Sequence, residues 1–154
     1  MSDLTHSESI VIAAAPEAVY DLISDVTRTG EWSPVCRECW WDEGATGAVG
    51  DVFTGRNVLP DRTWETRCTV IAAEPGREFG WLVADGLVRW LYSMEAVDGG
   101  TRLTEDWEFL PKGIAFFHER YGADAEAQIA ARIDLAHRGI SETLAAMKRI
   151  AESG

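Results

Sequence analysis

Alternation of apolar and polar residues between positions 35 and 110 constrains the fold of this chain more than any other sequence feature. Turn residues interrupt the alternation at regular intervals, at residues 44–50, 60–61, 75–76, 85–86 and 98–100. Alternation with period 2 that is broken by Gly, Pro and Asp is typical of antiparallel strands joined by tight turns. The segment therefore predicts six consecutive strands, and a preceding β-branched run, SIVI, predicts one more.

The two ends of the chain predict helices. Pro16 follows the first strand at a position where a helix tolerates proline, and two short helices fit before residue 31. Residues 124–151 repeat apolar side chains at steps of three and four, the spacing of an amphipathic helix. The members of this apolar stripe are Ile129, Ile133, Ala136, Ile140, Leu144, Met147 and Ala151.

These elements predict an α+β fold. A curved, seven-stranded antiparallel sheet packs on one long C-terminal helix, and the two short helices lie between strands 1 and 2. No repeat, linker or low-complexity tract divides the chain. We therefore predict a single domain spanning residues 1–154.

Charge and hydropathy exclude several classes of partner. The chain has 14 basic and 26 acidic residues and a net charge of −12, which repels phosphate backbones and anionic membrane surfaces. No run approaches the roughly 18 apolar residues of a membrane span, and the first ten residues lack the pattern of a secretory signal. We expect a cytoplasmic protein, monomeric or homodimeric, that binds no nucleic acid and does not insert into membranes.

The alternation assigns four tryptophans to one face of the sheet. A two-residue turn at residues 99–100 would pair Met94 with Glu105 and Tyr92 with Trp107 in the last hairpin. One face of that hairpin is then apolar and the other charged, as expected for one buried and one hydrated face. The same alternation in the other strands gives an inner face that includes Phe53, Asn57, Trp64, Thr66, Trp81, Trp90, Tyr92, Met94, Glu105 and Trp107.

Glu105 is the acidic exception on this predicted inner face. A carboxylate among Leu, Trp and Phe costs free energy unless it has a partner, a water molecule or a raised pKa. One interpretation is a carboxylate at the rim of the sheet, paired with Arg or Lys. The other is a polar anchor or general acid in a pocket, with Tyr92 as the second candidate for proton transfer.

The segment CRECWW, residues 36–41, contains a Cys-x-x-Cys pair with three candidate roles. Zinc needs about four ligands, and neither a second cysteine pair nor a nearby histidine completes the set. A redox dithiol is favoured at a helix N-terminus, whereas this segment has the pattern of a strand. Residues three apart in a strand point to opposite faces, so Cys36 and Cys39 are not expected to form one site. We predict that they pack in the core, with no metal site and no cofactor.

The remaining candidates lie in the C-terminal third of the chain. His137 flanks the apolar stripe of the long helix and is either a solvated side chain or a polar group of a pocket. The run GIAFFHERY, residues 113–121, is either a plain connector or an apolar gate between sheet and helix. No G-x-S-x-G elbow or phosphate-binding glycine loop is present, so neither a serine hydrolase nor a nucleotide-binding protein is predicted.

The order of the predicted elements and several stretches of sequence resemble the START/Bet v 1-like (SRPBCC) superfamily, specifically its bacterial polyketide cyclase/dehydrase and lipid-transport type members. The matching stretches are SIVIAAAPEAVYDLISDVTRTGEWSP, GAVGDVFTGRN, WETRCTVIAAEPGREFGW, RWLYSMEAVDGGTRLTEDWEF and the final helix. They consist mainly of core and turn residues, so the resemblance is more specific for the fold than for an activity. It implies the helix-grip fold, with a cavity for an apolar or aromatic ligand between sheet and helix.

We therefore expect the chain to bind a small hydrophobic or aromatic molecule, lipid-like or polyketide-like, in that cavity. One alternative is a polyketide cyclase, aromatase or dehydratase in which Glu105 and Tyr92 act on such a ligand. Another is a protein-interaction module whose cavity is filled by its own tryptophans. The expected ligand-binding residues are the ten inner-face residues given above together with Ile129, Ile133, His137 and Ile140 of the helix.

Overall fold

The computed structural model describes residues 4–153, and these contain the seven predicted strands in a single sheet. The strands are β1 (Thr5–Ile12), β2 (Cys36–Trp41), β3 (Val52–Leu59), β4 (Arg62–Glu74), β5 (Glu78–Val83), β6 (Val88–Val97) and β7 (Gly100–Phe109). Their order in the sheet is β1, β7, β6, β5, β4, β3, β2, and every neighbouring pair is antiparallel. The predicted fold class is confirmed.

Helices precede β2 and follow β7. They are α1 (Pro16–Ser24), a 3-10 helix (Val26–Glu31), α2 (Pro111–Tyr121), a 3-10 turn (Gly122–Asp124) and α3 (Ala125–Ser153). Asp25 caps the first 3-10 helix, because its carboxylate accepts a hydrogen bond from the Thr27 amide at 3.2 Å. Within residues 4–153, no helix is long and apolar enough to cross a membrane.

The segment predicted as a connector or gate, residues 113–121, is helical and belongs to α2. Pro111 starts this helix, where its fixed φ angle and missing N–H are tolerated. Phe117 is buried, whereas its neighbour Phe116 is 43% exposed. One buried and one exposed aromatic residue next to each other obscured the period of three to four residues in the sequence.

The β6–β7 hairpin has the predicted faces but a different register. Its turn lies at residues 98–99 rather than 99–100, and the glycine there has φ +83, a left-handed value that favours this residue type. Glu105 therefore pairs with Tyr92, not with Met94 as predicted. Because each pair shifts by two residues, every side chain keeps its face of the sheet.

The apolar stripe of α3 packs on the sheet mainly at the β1 and β7 edge. Ile140, Leu144 and Met147 are at most 3% exposed, in a core that includes Leu103. On the other side of the sheet, a β-bulge at residues 70–72 bends β4. The fold thus closes tightly around Leu144 and Met147 and leaves room beside the middle of α3, residues 132–143.

At Gly113, α2 packs so closely on its neighbours that a side chain has no room. An alanine Cβ at this position would collide with the Leu87 carbonyl oxygen and lie 2.8 Å from Phe109 Cε1. Overpacking of this kind forces the backbone to move. We expect Gly113→Ala to lower the free energy of unfolding by about 1–3 kcal/mol, measured by urea denaturation.

Gly139→Ala in α3 is the matched control for this substitution. The atom nearest to the added Cβ is Pro34 Cγ at 3.6 Å, which is an ordinary contact. Alanine also favours a helix over glycine by about 1 kcal/mol, so we expect unchanged or higher stability. Equal stability of the two variants would contradict close packing of α2 on the turn between β5 and β6.

Candidate ligand-binding cavity

A cavity of about 850 Å³ lies between the inner face of the sheet and the helices α2 and α3. Ligand sites for small molecules have comparable volumes. The tryptophans line this space rather than fill it. Ten of the fourteen predicted ligand-binding residues are on its wall: Phe53, Asn57, Trp64, Thr66, Trp81, Trp90, Tyr92, Glu105, Trp107 and Ile140.

The other four predicted residues lie outside the lining of the cavity. Met94 is two residue pairs closer to the β6–β7 turn than Tyr92 and is buried in the closed core. Ile129 and Ile133 are half-buried against that core. His137 makes an edge-to-face contact with the Trp107 ring of β7. Helical spacing identified the buried side of α3, but not the part of that side that faces open space.

The cavity exists because α3 presents small side chains to it. Six residues of α3 line the cavity, and three of them, Ala136, Gly139 and Thr143, are small and recur at steps of three and four residues; the other three are Arg132, Leu135 and Ile140. Protein interiors are otherwise close-packed, so a shortage of side-chain volume opposite a bent sheet leaves a void. The sequence of α3 thus shapes the cavity as much as the aromatic residues of the sheet do.

An aromatic wall crosses the sheet along the cavity. Trp90 of β6 lies between Trp81 of β5 and Trp107 of β7, with ring centroids 6.5 Å away on both sides. Phe53 of β3 extends the wall, 5.5 Å from Trp81. Aromatic pairs in such arrangements stabilise one another by about 0.5–1.5 kcal/mol beyond their buried area. The wall is therefore a stable apolar surface that faces the cavity.

Glu105 lies in this wall, directly opposite Tyr92. Its side chain is 3% exposed, and within residues 4–153 its Oε1 atom has no hydrogen-bond partner. Burial raises the pKa of this carboxyl group to about 8; a hydrogen bond with Tyr92 opposes the rise, and the charges of Glu8 and Asp106 add to it. At neutral pH the group is a carboxylic acid that can donate a hydrogen bond, and it is not a rim carboxylate.

The hydroxyl group of Tyr92 also stays protonated. Burial raises its pKa well above the ordinary value, and the neighbouring Glu105 raises it further. Tyr92 and Glu105 therefore place two O–H groups side by side in an otherwise apolar wall. Because Tyr92 donates its hydrogen bond to Glu105, the Glu105 O–H is the donor that remains for a carbonyl or hydroxyl oxygen of a ligand.

A polar network between β1 and α3 lies beside Glu105, because its member Glu8 pairs with Glu105 across β1 and β7. Glu8 forms hydrogen bonds with His6 at 2.6 Å and with Ser141 at 2.7 Å, and these outweigh burial and lower the pKa of Glu8. His137 stacks on His6 at 4.2 Å, and its buried Nε2 atom has no partner in the part of the chain that the structure describes. The ionised Glu8 in turn raises the pKa of Glu105.

Asn57 and Thr66 form a second polar spot on the cavity wall. Asn57 Nδ2 lies 3.3 Å from Thr66 Oγ1 and 3.4 Å from the Trp64 carbonyl oxygen. Both distances are long for hydrogen bonds. The amide and the hydroxyl group therefore keep capacity to bind a polar atom of a ligand.

The prediction that Cys36 and Cys39 point apart is wrong. A β-bulge between Cys36 and Glu38 adds a residue to β2, so both side chains emerge on the same face with their Sγ atoms 3.2 Å apart. Gly55 leaves room for them, because a Cβ there would lie 3.0 and 3.2 Å from the two sulfurs.

Cys68, also on the cavity wall, has its pKa raised to about 12 by burial. Residues 4–153 contain no group of His, Cys, Asp and Glu arranged to hold a metal ion.

Three arginines, here called the arginine cluster, line the cavity near its exposed rim: Arg62 of β4, Arg120 of α2 and Arg132 of α3. The guanidinium groups of Arg62 and Arg132 lie over the Trp64 ring at 4.2 and 4.9 Å. Hydrogen bonds from Arg120 and Arg62 outweigh burial and lower the pKa of Tyr121. The sequence pattern of any one strand or helix does not predict this cluster, since its members come from three separate elements. A local signal was the spacing Arg-x-Trp in β4, which places both side chains on one face.

Comparison with known proteins identifies relatives of this chain. A family model described as "Polyketide cyclase / dehydrase and lipid transport" matches residues 4–152. The solution NMR structure of the Polyketide_cyc-like protein Cgl2372 from Corynebacterium glutamicum is 58% identical, with a TM-score of 0.73; the match covers 97% of this chain and 91% of that chain. A search of curated proteins found no match.

Two more distant structures share the fold. The di-domain ARO/CYC StfQ from the steffimycin biosynthetic pathway is 15% identical with a TM-score of 0.68, over 97% of this chain and 51% of that chain. Ara h 8.0201 is 17% identical with a TM-score of 0.62, over 97% and 98% of the two chains. At these identities the likeness concerns the architecture of sheet and helix alone.

The raised pKa of Glu105 predicts a pH dependence of stability. The folded pKa of about 8 exceeds the ordinary value of 4.5, so folding disfavours the ionised form. The favourable contribution is complete below pH 4.5 and is lost as the pH rises to about 8. We expect the free energy of unfolding of the wild type, relative to Glu105→Gln, to fall by about 1 kcal/mol per pH unit in this window.

Urea denaturation at pH 5, 6, 7 and 8 measures this difference. Glu119→Gln on the exposed side of α2 is the control for loss of one carboxylate outside the cavity. A constant difference between wild type and Glu105→Gln across the window would show that Glu105 is hydrated.

Proposed function

We propose that this chain, which belongs to the polyketide cyclase / dehydrase and lipid transport family, binds a small, mostly apolar molecule in its internal cavity. The observation that carries the proposal is the open volume of about 850 Å³ beside a wall of tryptophan and phenylalanine rings. An aromatic or lipid-like ligand fits this surface. The ligand is held by burial of apolar area and oriented by a few polar groups.

The energetics of the cavity favour an occupant. A void next to apolar rings loses the dispersion contacts that close packing provides, and residual cavity volume is destabilising. An apolar ligand restores these contacts and removes apolar surface from water, which contributes roughly 25 cal/mol per Å². The filled-cavity alternative, in which the tryptophans plug the space, is not supported because about 850 Å³ stays open beside their rings.

Two pairs of polar residues on the cavity wall would orient the ligand. The protonated Glu105, to which Tyr92 is hydrogen-bonded, can donate one hydrogen bond at one point of the wall, and Asn57 with Thr66 offers both donors and acceptors at another. A ligand with separated carbonyl or hydroxyl groups on an apolar skeleton matches this arrangement. Polyketide-like molecules have this chemistry.

A second candidate function is catalysis of cyclisation or dehydration on such a ligand. The observation that favours it is the Glu105 carboxyl group, which is buried beside open space with a pKa of about 8. A general acid works best when its pKa is near the working pH. Glu105 would protonate a carbonyl or a leaving hydroxyl group, and its hydrogen bond with Tyr92 would hold the carboxyl group in position.

Binding is tested with N-phenyl-1-naphthylamine, an uncharged aromatic probe that fluoresces in apolar surroundings. We expect saturable binding to the wild type. Ala136 lines the cavity, so Ala136→Phe fills part of it and is expected to weaken binding at least tenfold. Native mass spectrometry of the freshly purified protein, followed by denaturing extraction, identifies any natural ligand that is retained.

Ala131→Phe is the matched control, because it adds the same side chain to the exposed side of α3. Circular dichroism and urea denaturation establish that both variants are folded. Absence of probe binding to the wild type, or unchanged binding to a folded Ala136→Phe variant, would refute the cavity as the binding site.

Catalysis is tested by the pH profile of turnover on a linear poly-β-keto substrate. If Glu105 is the general acid, the rate at saturating substrate falls about tenfold per pH unit above about 8. Glu105→Gln, which keeps the shape of the side chain but carries no acidic proton, should bind substrate and lose turnover. Full turnover in Glu105→Gln would exclude this role and leave the binding function intact.

A further inference from the structure

The arginine cluster is unusual in its lack of acidic partners. Most other charged residues of the cavity wall have a partner of opposite charge within 4 Å: Arg67 with Asp42, Glu65 with Arg56, and Asp85 with Lys112. Glu105 is protonated at neutral pH. Within residues 4–153, no carboxylate forms an ion pair with Arg62, Arg120 or Arg132.

This arrangement is the more notable because acidic residues outnumber basic ones by 26 to 14. Arg132 is half-buried, and burial together with the charge of Arg62 lowers its pKa. Like charges in a partly desolvated place repel one another, and the aromatic faces compensate for this only partly. The cluster therefore has unused capacity to bind an anion.

The location of the cluster joins it to the apolar cavity. Arg120 is exposed and Phe116 beside it is 43% exposed, whereas Trp64 and Phe117 connect this rim to the interior. Arg132 lies over both of these rings, 4.9 Å from the Trp64 centroid and 5.3 Å from the Phe117 centroid. A charged group at the rim would remain partly hydrated while the body attached to it reached the aromatic wall.

We propose that the arginine cluster binds an oxyanion carried by the ligand, a carboxylate or a phosphate ester, while the apolar body of the ligand occupies the cavity. Guanidinium groups bind both anions through paired charge-assisted hydrogen bonds. The ligand is thus an amphipathic acid with its anionic end at the rim and its apolar body against the aromatic wall. This inference rests on the proposed binding function and specifies the class of ligand.

The test compares two probes that share one aromatic body. 8-Anilinonaphthalene-1-sulfonate carries an oxyanion, and N-phenyl-1-naphthylamine is the same molecule without it. We expect Arg132→Gln to weaken binding of the sulfonate roughly tenfold, by loss of a charge-assisted hydrogen bond, and to change binding of the uncharged probe less than twofold. Arg120→Gln, at an exposed position that tolerates substitution, should act in the same direction.

Arg149→Gln is the matched control, because it removes one exposed positive charge from α3 away from the cavity. It should leave both affinities unchanged. Added salt should weaken binding of the sulfonate more than binding of the uncharged probe. Displacement of the sulfonate by dodecanoate, dodecyl phosphate and dodecanol then ranks carboxylate, phosphate and neutral head groups.

The outcomes separate the two proposals. If the uncharged probe binds but the sulfonate does not respond to Arg132→Gln or Arg120→Gln, the anion site is refuted and the binding function stands. Equal weakening of both probes by these variants also refutes the anion site, since it indicates damage to the cavity. If the wild type binds neither probe, both proposals fail.

Discussion

The mismatch between a wide, bent sheet and a single helix is the constraint on which the rest of this structure depends. Seven antiparallel strands present more apolar surface than α3 covers, and α3 packs mainly at the β1 and β7 edge. Bulges in β2 and β4 increase the bend on the opposite side. Since Ala136, Gly139 and Thr143 supply little volume there, the void follows from geometry and composition together. The same helix packs in the core from Leu144 to Met147, so different segments of one helix contribute to the stability of the core and to the cavity.

The inner face of the sheet was predictable from the sequence because alternation fixes which side each residue faces. An error of two residues in the pairing of β6 and β7 moved no side chain to the other face, so ten predicted residues line the cavity. Pairing partners are a finer property that depends on the turn. Glu105 was predicted beside Met94, and its actual neighbour Tyr92 changes the chemistry from an isolated acid to a hydrogen-bonded pair of O–H groups.

Features that need two elements or an irregular backbone were not predictable. A strict alternation in β2 separates Cys36 from Cys39, but the bulge between Cys36 and Glu38 reverses that conclusion and brings the two sulfurs to 3.2 Å. The helical period of α3 likewise included Ile129 and Ile133 in the site, but of these stripe residues only Ala136 and Ile140 line the cavity, and Ile129 and Ile133 pack against the core. Periodicity reports burial, and burial does not distinguish a closed core from the wall of a cavity.

The groups at the rim of the cavity are charged and those in its interior are neutral, because only the rim is accessible to solvent. At the rim, the arginine cluster can keep its charge because Arg120 is exposed and aromatic rings face Arg62 and Arg132. In the interior, Glu105 cannot keep its charge because its pKa rises with burial and with the charge of Glu8. Desolvation acts in the same way on both groups, since it disfavours the charged form. A ligand that enters with its apolar end first therefore meets neutral hydrogen-bond donors inside and leaves its own charge where guanidinium groups and water remain available to it.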